Sequence, residues 1–130
     1  MTLVLMQNTR LPKYRPLSSL LKAAYLLLSS YNFSNQKAVG FAQCQLRYDY
    51  VEGTASSPVG YLEGIFVTPA YQKQGIARAL LASCEKRAKE QGCVEFASDC
   101  ELSNTNSLRF HLSMGFEEAN RIICFTKTLQ

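Results

Sequence analysis

The sequence predicts a single α/β domain in which a mixed central sheet is flanked by helices. The first indication is a pair of segments rich in β-branched and aromatic residues, 38–50 and 61–67, which the polar turn 52–58 separates. Such a pair favours antiparallel strands. The second indication is the order strand, helix, strand across residues 61–98, which is typical of a right-handed parallel crossover. With 130 residues, the chain is long enough to bury the core of one domain.

The first third of the chain differs from the rest in charge. Residues 1–48 hold six basic and no acidic side chains, whereas residues 49–130 hold eight basic and ten acidic ones. Leucine and alanine residues recur near helical spacing between 17 and 30, which predicts a short amphipathic helix. Lys22 interrupts the apolar run that a signal sequence would need. We therefore expect residues 1–37 to be a separate segment, helical or partly ordered, and residues 38–130 to form the domain core.

The core begins with the two predicted strands. Residues 38–50 form the first, with or without a bulge, and residues 61–67 form the second, which ends at Thr68 and Pro69. A four-residue period of apolar side chains predicts the helix that follows, and Gly92 predicts its end. The members of that period are Ile76, Leu80, Cys84 and Ala88.

The remainder of the chain alternates again between strand and helix. Residues 93–98 form a short apolar run and predict the third strand. Residues 104–114 predict a second helix, which Gly115 ends. Residues 121–128 predict a final strand that closes the chain.

The composition excludes several classes of function. No stretch reaches about 18 uninterrupted apolar residues, so we expect no membrane span. The single histidine and the lack of a Cys-x-x-Cys pair predict no metal site. Basic residues form no stripe interleaved with aromatic ones, so we expect no nucleic-acid partner. The five cysteines lie in apolar runs as small buried side chains, which predicts a reducing, cytoplasmic location.

The turn 72–77, between the second strand and the long helix, is a candidate anion site. A strand that leads through a glycine-containing turn into a helix leaves backbone N–H groups free at the positive end of the helix dipole. Gly75 would let the backbone approach a pyrophosphate closely. For these six residues alone, a plain strand-to-helix corner is an equal alternative, since neither a Walker loop nor a dinucleotide fingerprint is present.

Motifs around this turn resemble those of a known superfamily, the GNAT acetyltransferases. Three segments carry the resemblance: the strand 62–67, the helix start Gln72-x-x-Gly75-x-Ala77, and Asn104-x-x-Ser107-x-x-x-His111-x-x-x-Gly115-Phe116. Four segments are similar, in order and spacing, to bacterial aminoglycoside 6'-N-acetyltransferases: 48–53, 57–65, 92–99 and 115–118. The resemblance covers about residues 38–130 and leaves residues 1–37 as a divergent N-terminal segment.

The resemblance implies a GNAT acyltransferase fold that uses acetyl-CoA as its co-substrate and holds no metal. It implies that Ile65, Phe66 and Val67 contact the pantetheine arm and that Asn104 lies near the thioester. The residues that would hold the pyrophosphate are Lys73, Gln74, Gly75, Ile76, Ala77 and Arg78. We expect the backbone N–H of Val67 to stabilise the developing oxyanion.

On the substrate side, the resemblance implies that Tyr50, Glu63 and Asp99 contact the aminoglycoside. A polycation needs acidic groups, and its amine must be deprotonated beside the thioester, so Glu63 and Asp99 are the candidate catalytic residues. Without the resemblance, Asp99 would be read as a helix cap or loop carboxylate and Glu63 as a polar group at a sheet edge. Asn120 stands where related enzymes often have an acid, so we expect it to bind one substrate ammonium only weakly.

The implied activity is transfer of an acetyl group from acetyl-CoA to the 6'-amino group of aminoglycoside antibiotics, which confers resistance. Direct attack of the amine needs no covalent enzyme intermediate. The resemblance also implies a homodimer. Two alternatives stay open: an acetyltransferase for a polyamine or a protein amine, and a truncated fold that binds CoA without turnover. His111 stands where the superfamily often has a tyrosine general acid, and we read it as a packed residue on the helix surface.

Overall fold

The computed structural model describes residues 32–33 and 37–130. The elements in chain order are β1 (Asn32–Phe33), β2 (Lys37–Ala38), β3 (Gly40–Arg47), β4 (Val59–Val67), a 3₁₀ turn (Pro69–Tyr71), α1 (Ile76–Glu90), β5 (Phe96–Ser98) and α2 (Thr105–Ser113). This arrangement confirms the predicted α/β class. The helix predicted at 17–30 lies outside the described residues.

The main sheet has three strands in the order β3, β4, β5. β3 and β4 form the predicted antiparallel pair along the whole of β3. β4 and β5 run parallel over three residue pairs, the last of which joins Leu62 to Ser98. The connection between them passes through α1, as the predicted crossover requires. β1 and β2 form a separate antiparallel pair.

The antiparallel pair contains the bulge that the sequence left open. Gln43 lies opposite Gly64 and Cys44 lies opposite Leu62, so Glu63 is an extra residue on β4. A bulge bends its strand and takes the extra side chain out of the regular alternation. The bulge therefore lies one residue past the last pair that joins β4 to β5.

α1 packs against β3 and β4 and closes the hydrophobic core. The predicted apolar stripe of this helix is buried, with Leu80 only 1% exposed. Burial of one large aliphatic side chain contributes about 1.5–3 kcal/mol, so tertiary packing is the main source of stability for α1. The core cluster consists of Val39, Ala42, Cys44, Leu62, Ile65, Val67, Ile76, Leu80, Leu81, Cys84 and Phe110.

A second, smaller apolar cluster lies on the other face of the sheet. Val59 and Tyr61 alternate along β4 with Leu62, which faces the main core, because successive side chains of a strand point to opposite faces. Val51, from the loop between β3 and β4, packs against Val59 and Tyr61, and Ala97 of β5 joins them. This loop therefore folds back over the face of the sheet that carries Tyr61.

The predicted final strand at 121–128 is wrong. Residues 121–130 form neither helix nor strand and are exposed. Their β-branched and aromatic side chains favour a strand, but a strand also needs a neighbour whose backbone completes the ladder, and no described strand pairs with this segment. The large apolar side chains left exposed there are Ile122, Ile123, Phe125 and Leu129.

The remaining predicted elements are confirmed with shorter bounds. The strand predicted at 93–98 extends over Phe96–Ser98, and the helix predicted at 104–114 extends over Thr105–Ser113. Neither described α-helix has the length and apolar character of a bilayer-spanning segment.

Candidate active site

The site is built where β4 and β5 separate. Their parallel pairing ends at Leu62 and Ser98, and the Ser98 hydroxyl donates a hydrogen bond to the Leu62 carbonyl at 3.1 Å. β4 continues to Val67, and no described strand pairs with that edge of it. Glu63 and Asp99 directly follow this last pair, so both lie at the point where the two strands separate.

Glu63 is held by two side chains of β3. Its carboxylate oxygen Oε1 accepts a hydrogen bond from Arg47 Nη2 at 2.8 Å, within an ion pair, and another from Gln45 Nε2. The Glu63 side chain is 14% exposed and is therefore partly buried. The bulge and the two donors from β3 together fix the direction of this carboxylate.

Asp99 follows β5 directly and is held by Tyr61 of β4. Its Oδ2 accepts a hydrogen bond from the Tyr61 hydroxyl at 2.6 Å. Burial and this hydrogen bond to Asp99 raise the pKa of Tyr61 above its ordinary value. The phenol therefore stays protonated near neutral pH and remains a donor. The cap of α2 is Asn104, so the interpretation of Asp99 as a helix cap is wrong.

Arg47 connects the two carboxylates. Its guanidinium carbon lies 3.4 Å from the centre of the Tyr61 ring, and the same guanidinium bonds Glu63. A cation over an aromatic face is attracted by the ring quadrupole, most strongly when water is excluded. Arg47 Nε is buried and has no hydrogen-bond partner. One cation therefore contacts Glu63 and also the ring of the residue that donates to Asp99.

Tyr50 and Asn120, the other predicted substrate contacts, are brought together by a third residue. The Tyr50 hydroxyl donates to Oε2 of Glu52 at 3.2 Å, and Asn120 Nδ2 donates to Oε1 of Glu52 at 2.9 Å. All three side chains are exposed. The carboxylate of Glu52 thus lies between two residues that the resemblance assigned to substrate binding.

A cavity of about 350 Å³ lies between the start of α1 and one side of α2. Its walls include three basic residues, Lys73, Arg78 and Arg109, and no acidic residue. The complete lining is Val67, Tyr71, Gln72, Lys73, Gly75, Ile76, Ala77, Arg78, Asn106, Arg109, Phe110, Ser113 and Met114. The cavity is therefore positively charged.

Gly75 supplies the backbone geometry of this cavity. It caps α1 with φ of +79°, a left-handed conformation that favours glycine. The first intrahelical hydrogen bond of α1 runs from the Ala79 N–H to the Gly75 carbonyl, so the N–H groups that precede it have no helical partner. Free N–H groups and the positive end of the helix dipole together suit a phosphate.

Some residues predicted to bind cofactor lie elsewhere. Ile65 is buried in the core, which leaves only its backbone for the open edge of β4. Phe66 and Gln74 do not line the cavity. Asn104 is outside the cavity lining, and its Oδ1 accepts from the Ser107 N–H at 3.1 Å as the cap of α2. The cofactor role of these four residues stays a prediction.

His111 is buried, with 8% of its surface exposed, so the interpretation of it as a packed residue on the helix surface is wrong. Its Nδ1 lies 2.6 Å from the Ser107 carbonyl oxygen and its Nε2 lies 2.9 Å from the Ser98 hydroxyl. The Phe116 ring contacts it edge-on with ring centres 5.2 Å apart. His111 therefore ties α2 to the end of β5, and both of its ring nitrogens are occupied.

Sequence reasoning missed Arg47, Tyr61, Glu52 and Arg109. Arg47 and Tyr61 read only as strand residues, because the register that places one over the other is set by tertiary pairing. Glu52 was assigned to a turn by its neighbours. Arg109 follows Asn106 by three residues on α2, and this helical spacing could have indicated one shared face. Within the described residues, no three potential ligand side chains are grouped as a metal site.

Comparisons with known proteins show which family the chain belongs to. The model of the acetyltransferase (GNAT) family matches residues 8–116. Two curated relatives are named aminoglycoside N(6')-acetyltransferase type 1: one from Acinetobacter haemolyticus, 41% identical over 75% of this chain and 67% of the relative, and one from Serratia marcescens, 47% identical over 70% and 62%. The solved structure of AAC(6')-Iy in complex with the bisubstrate analog CoA-S-monomethyl-acetylneamine is 36% identical, with a TM-score of 0.73 over 92% of this chain and 84% of that one.

The chain spans 62–67% of the length of these two curated relatives. The family model nevertheless matches far more than half of the chain, and the residues it matches include the cavity and the separated strands. This chain belongs to the acetyltransferase (GNAT) family.

Proposed function

We propose that this chain transfers the acetyl group of acetyl-CoA to the 6'-amino group of aminoglycoside antibiotics and thereby confers resistance. The observation that carries the proposal is the pair of carboxylates, Glu63 and Asp99, held where β4 leaves β5 on the strand that leads to the basic cavity. A polycationic amine suits such a face, and a polyphosphate suits such a cavity. The names of the two curated relatives and the bisubstrate complex of AAC(6')-Iy support the same pair of substrates.

The cavity residues fit the phosphates of acetyl-CoA. Lys73, Arg78 and Arg109 supply positive charge, and the first turn of α1 after Gly75 supplies free N–H groups. Acetyl-CoA supplies an activated acetyl thioester. The unpaired edge of β4, which includes Val67, offers backbone groups for the pantetheine arm, and the N–H of Val67 stabilises the oxyanion.

The carboxylates bind and deprotonate the amine. Glu63, fixed by Arg47, orients the substrate ammonium, and Asp99 accepts its proton so that the neutral amine attacks the thioester carbon directly. The Tyr61 hydroxyl donates to Oδ2 of Asp99 and so fixes the direction of this carboxylate. The C–S bond then breaks, and the departing thiolate takes up, through solvent, the second proton that the attacking nitrogen loses, without a covalent enzyme intermediate.

A product assay tests this function. Purified protein is incubated with acetyl-CoA and kanamycin, the release of the free CoA thiol is followed, and the product is identified by NMR. We expect the acetyl group on the 6'-nitrogen. Transfer to spermidine or to a lysine peptide in place of kanamycin would support the second acceptor class and contradict this proposal.

A non-catalytic CoA-binding fold is the second candidate. The observation that favours it is the ion pair between Arg47 and Glu63, which offsets the charge of one of the two candidate catalytic carboxylates. Calorimetry with CoA separates the two candidates. CoA binding together with kanamycin turnover supports the enzyme, whereas CoA binding without transfer to any amine supports the non-catalytic fold.

The chain also acts as a homodimer in this proposal, and it acts in the cytoplasm. The dimer is supported by the exposed apolar side chains of the final segment, such as Ile123 and Phe125, which association with a second copy would cover. Light scattering on purified protein tests the dimer. The cytoplasmic location is supported by three free, buried cysteines, Cys44, Cys84 and Cys93, and cell fractionation tests it. Cys100 and Cys124 are exposed, so the prediction that all five cysteines are buried is wrong.

A further inference from the structure

The loop between β3 and β4 carries an acidic side chain, Glu52, and packs on the face of the sheet that carries Tyr61. Val51 of this loop is buried against Tyr61, and the Tyr61 hydroxyl donates to Asp99. The Ala55 N–H donates to Glu95 at 2.9 Å, which fixes the same loop to the residue before β5. The segment that presents Glu52 is therefore anchored on the face that carries the candidate catalytic groups.

The backbone brings Glu52 into contact with the final segment of the chain. Gly53 has φ of +80°, and a Cβ added there would lie 2.4 Å from the Ala119 side chain. Only glycine allows this close approach. It places Asn120 within 2.9 Å of the Glu52 carboxylate.

The Glu52 carboxylate has no cationic partner among the described residues. Its two donors, the Tyr50 hydroxyl and the Asn120 amide, are neutral, and it makes no ion pair with a described residue. Glu63 is instead paired with Arg47, and Glu118 is paired with Arg121. A carboxylate has about four acceptor positions, so the two donors orient Glu52 and leave capacity for a ligand.

We propose that Glu52 is a specificity-determining residue that binds a substrate ammonium other than the one that is acetylated. This inference rests on the proposed function, because it takes the substrate to be an aminoglycoside, which carries several ammonium groups. Related enzymes often have an acidic residue at the position of Asn120. In this chain the negative charge is on Glu52, which accepts a hydrogen bond from Asn120. Asn120 therefore acts by orienting Glu52, and the weak binding expected from its neutral side chain is offset.

Isosteric variants test the proposal. Glu52→Gln keeps the shape of the side chain and removes its charge, so we expect KM for kanamycin to rise about fivefold with kcat unchanged, as the loss of an exposed charge contact predicts. Glu117→Gln, an exposed carboxylate on the same final segment, is the matched control with the same change in net charge. Its KM should stay within twofold of wild type, in line with ordinary surface substitutions.

A double variant moves the charge across the contact. Glu52→Gln combined with Asn120→Asp reverses the direction of the hydrogen bond and places the carboxylate at position 120, so we expect it to restore KM. An unchanged KM in Glu52→Gln, an equal rise in Glu117→Gln, or no recovery in the double variant would each overturn the proposal.

Calorimetric binding of kanamycin separates this proposal from the proposed function. If the wild type transfers no acetyl group but binds kanamycin, and Glu52→Gln binds it more weakly while Glu117→Gln does not, the role of Glu52 is supported and the proposed activity is rejected. Turnover in wild type with no effect of Glu52→Gln would reject Glu52 and keep the enzyme. No binding of kanamycin to the wild type would reject both.

Discussion

The strand β4 borders two regions of the molecule: the cavity at the start of α1, and the face that carries Glu63 and Asp99. The two regions differ in charge and in the groups that form them. The cavity is lined by Lys73, Arg78 and Arg109, and its central feature is the backbone of the first turn of α1. The opposite face is acidic, and each of its carboxylates is held by side chains from other strands.

This difference shows how one strand can contribute to binding sites for two ligands of opposite charge. Backbone N–H groups and a helix dipole give a positive site that depends on chain geometry more than on side-chain identity. A carboxylate needs neighbours that fix its direction, and here Arg47 and Tyr61 provide them. Substitutions on one side should therefore affect one ligand and leave the other unchanged.

The largest effect is expected at Asp99. Asp99→Asn keeps the hydrogen bond to Tyr61 possible but removes the group that accepts the amine proton, so kcat/KM for kanamycin should fall about 100-fold or more. Calorimetric affinity for CoA should stay at the wild-type value. Glu101→Gln, an exposed carboxylate two residues later, should leave the kinetics unchanged. Wild-type kcat and KM in Asp99→Asn would remove Asp99 from both binding and catalysis.

A smaller effect is expected at Gly75. Gly75→Asp places a negative charge where free N–H groups meet a phosphate, so the Kd for CoA should rise about tenfold or more. No atom lies within 4 Å of the added Cβ, so the structural cost is the strain of a non-glycine residue at positive φ, and circular dichroism checks that the helix stays folded.

Gly92→Asp is the matched control for this change. Gly92 has φ of +88°, equally open space and a position beyond the other end of α1, so it carries the same backbone cost without the phosphate site. An equal loss of CoA affinity in both variants would show that strain, and not charge, is responsible.

The smallest effect is expected at Tyr61. Tyr61→Phe removes the donor that fixes Asp99, so kcat/KM for kanamycin should fall about fivefold, the value of one ordinary hydrogen bond. The affinity for CoA should not change. A wild-type kcat/KM would show that Asp99 needs no partner.

The pH dependence of stability tests the same hydrogen bond. Burial and Asp99 raise the folded pKa of Tyr61 above its unfolded value of about 10, so its contribution is fully present below pH 10 and is lost as pH rises through the folded pKa. The free energy of unfolding should therefore fall above about pH 10, and Tyr61→Phe should remove part of that slope. Tyr48→Phe, which removes the hydroxyl of an exposed tyrosine, is the matched control.

Local patterns in the sequence predict the anion side well and the acidic side only in part. The period of Ile76, Leu80, Cys84 and Ala88 predicts α1, and Gly75 before it predicts the turn, because both features depend on residues close in the chain. Glu63 and Asp99 came from the family resemblance.

The partners of these carboxylates depend on pairing between strands, which local patterns do not contain. The bulge makes Glu63 an extra residue on β4, whereas the pairing of β4 with β3 and with β5 brings Arg47 to Glu63 and Tyr61 to Asp99. The strand predicted at 121–128 failed for the same reason, since its composition is suitable but its partner was assumed.

Crossed titrations of two ligands on two variants test the separation of the two sides most directly. Calorimetry measures the Kd of CoA and the Kd of kanamycin for the wild type, Gly75→Asp and Asp99→Asn at one ionic strength. We expect Gly75→Asp to weaken CoA alone and Asp99→Asn to weaken kanamycin alone, each by about tenfold or more. Equal weakening of both ligands in either variant would contradict the assignment of the cavity to the anion and of the acidic face to the amine.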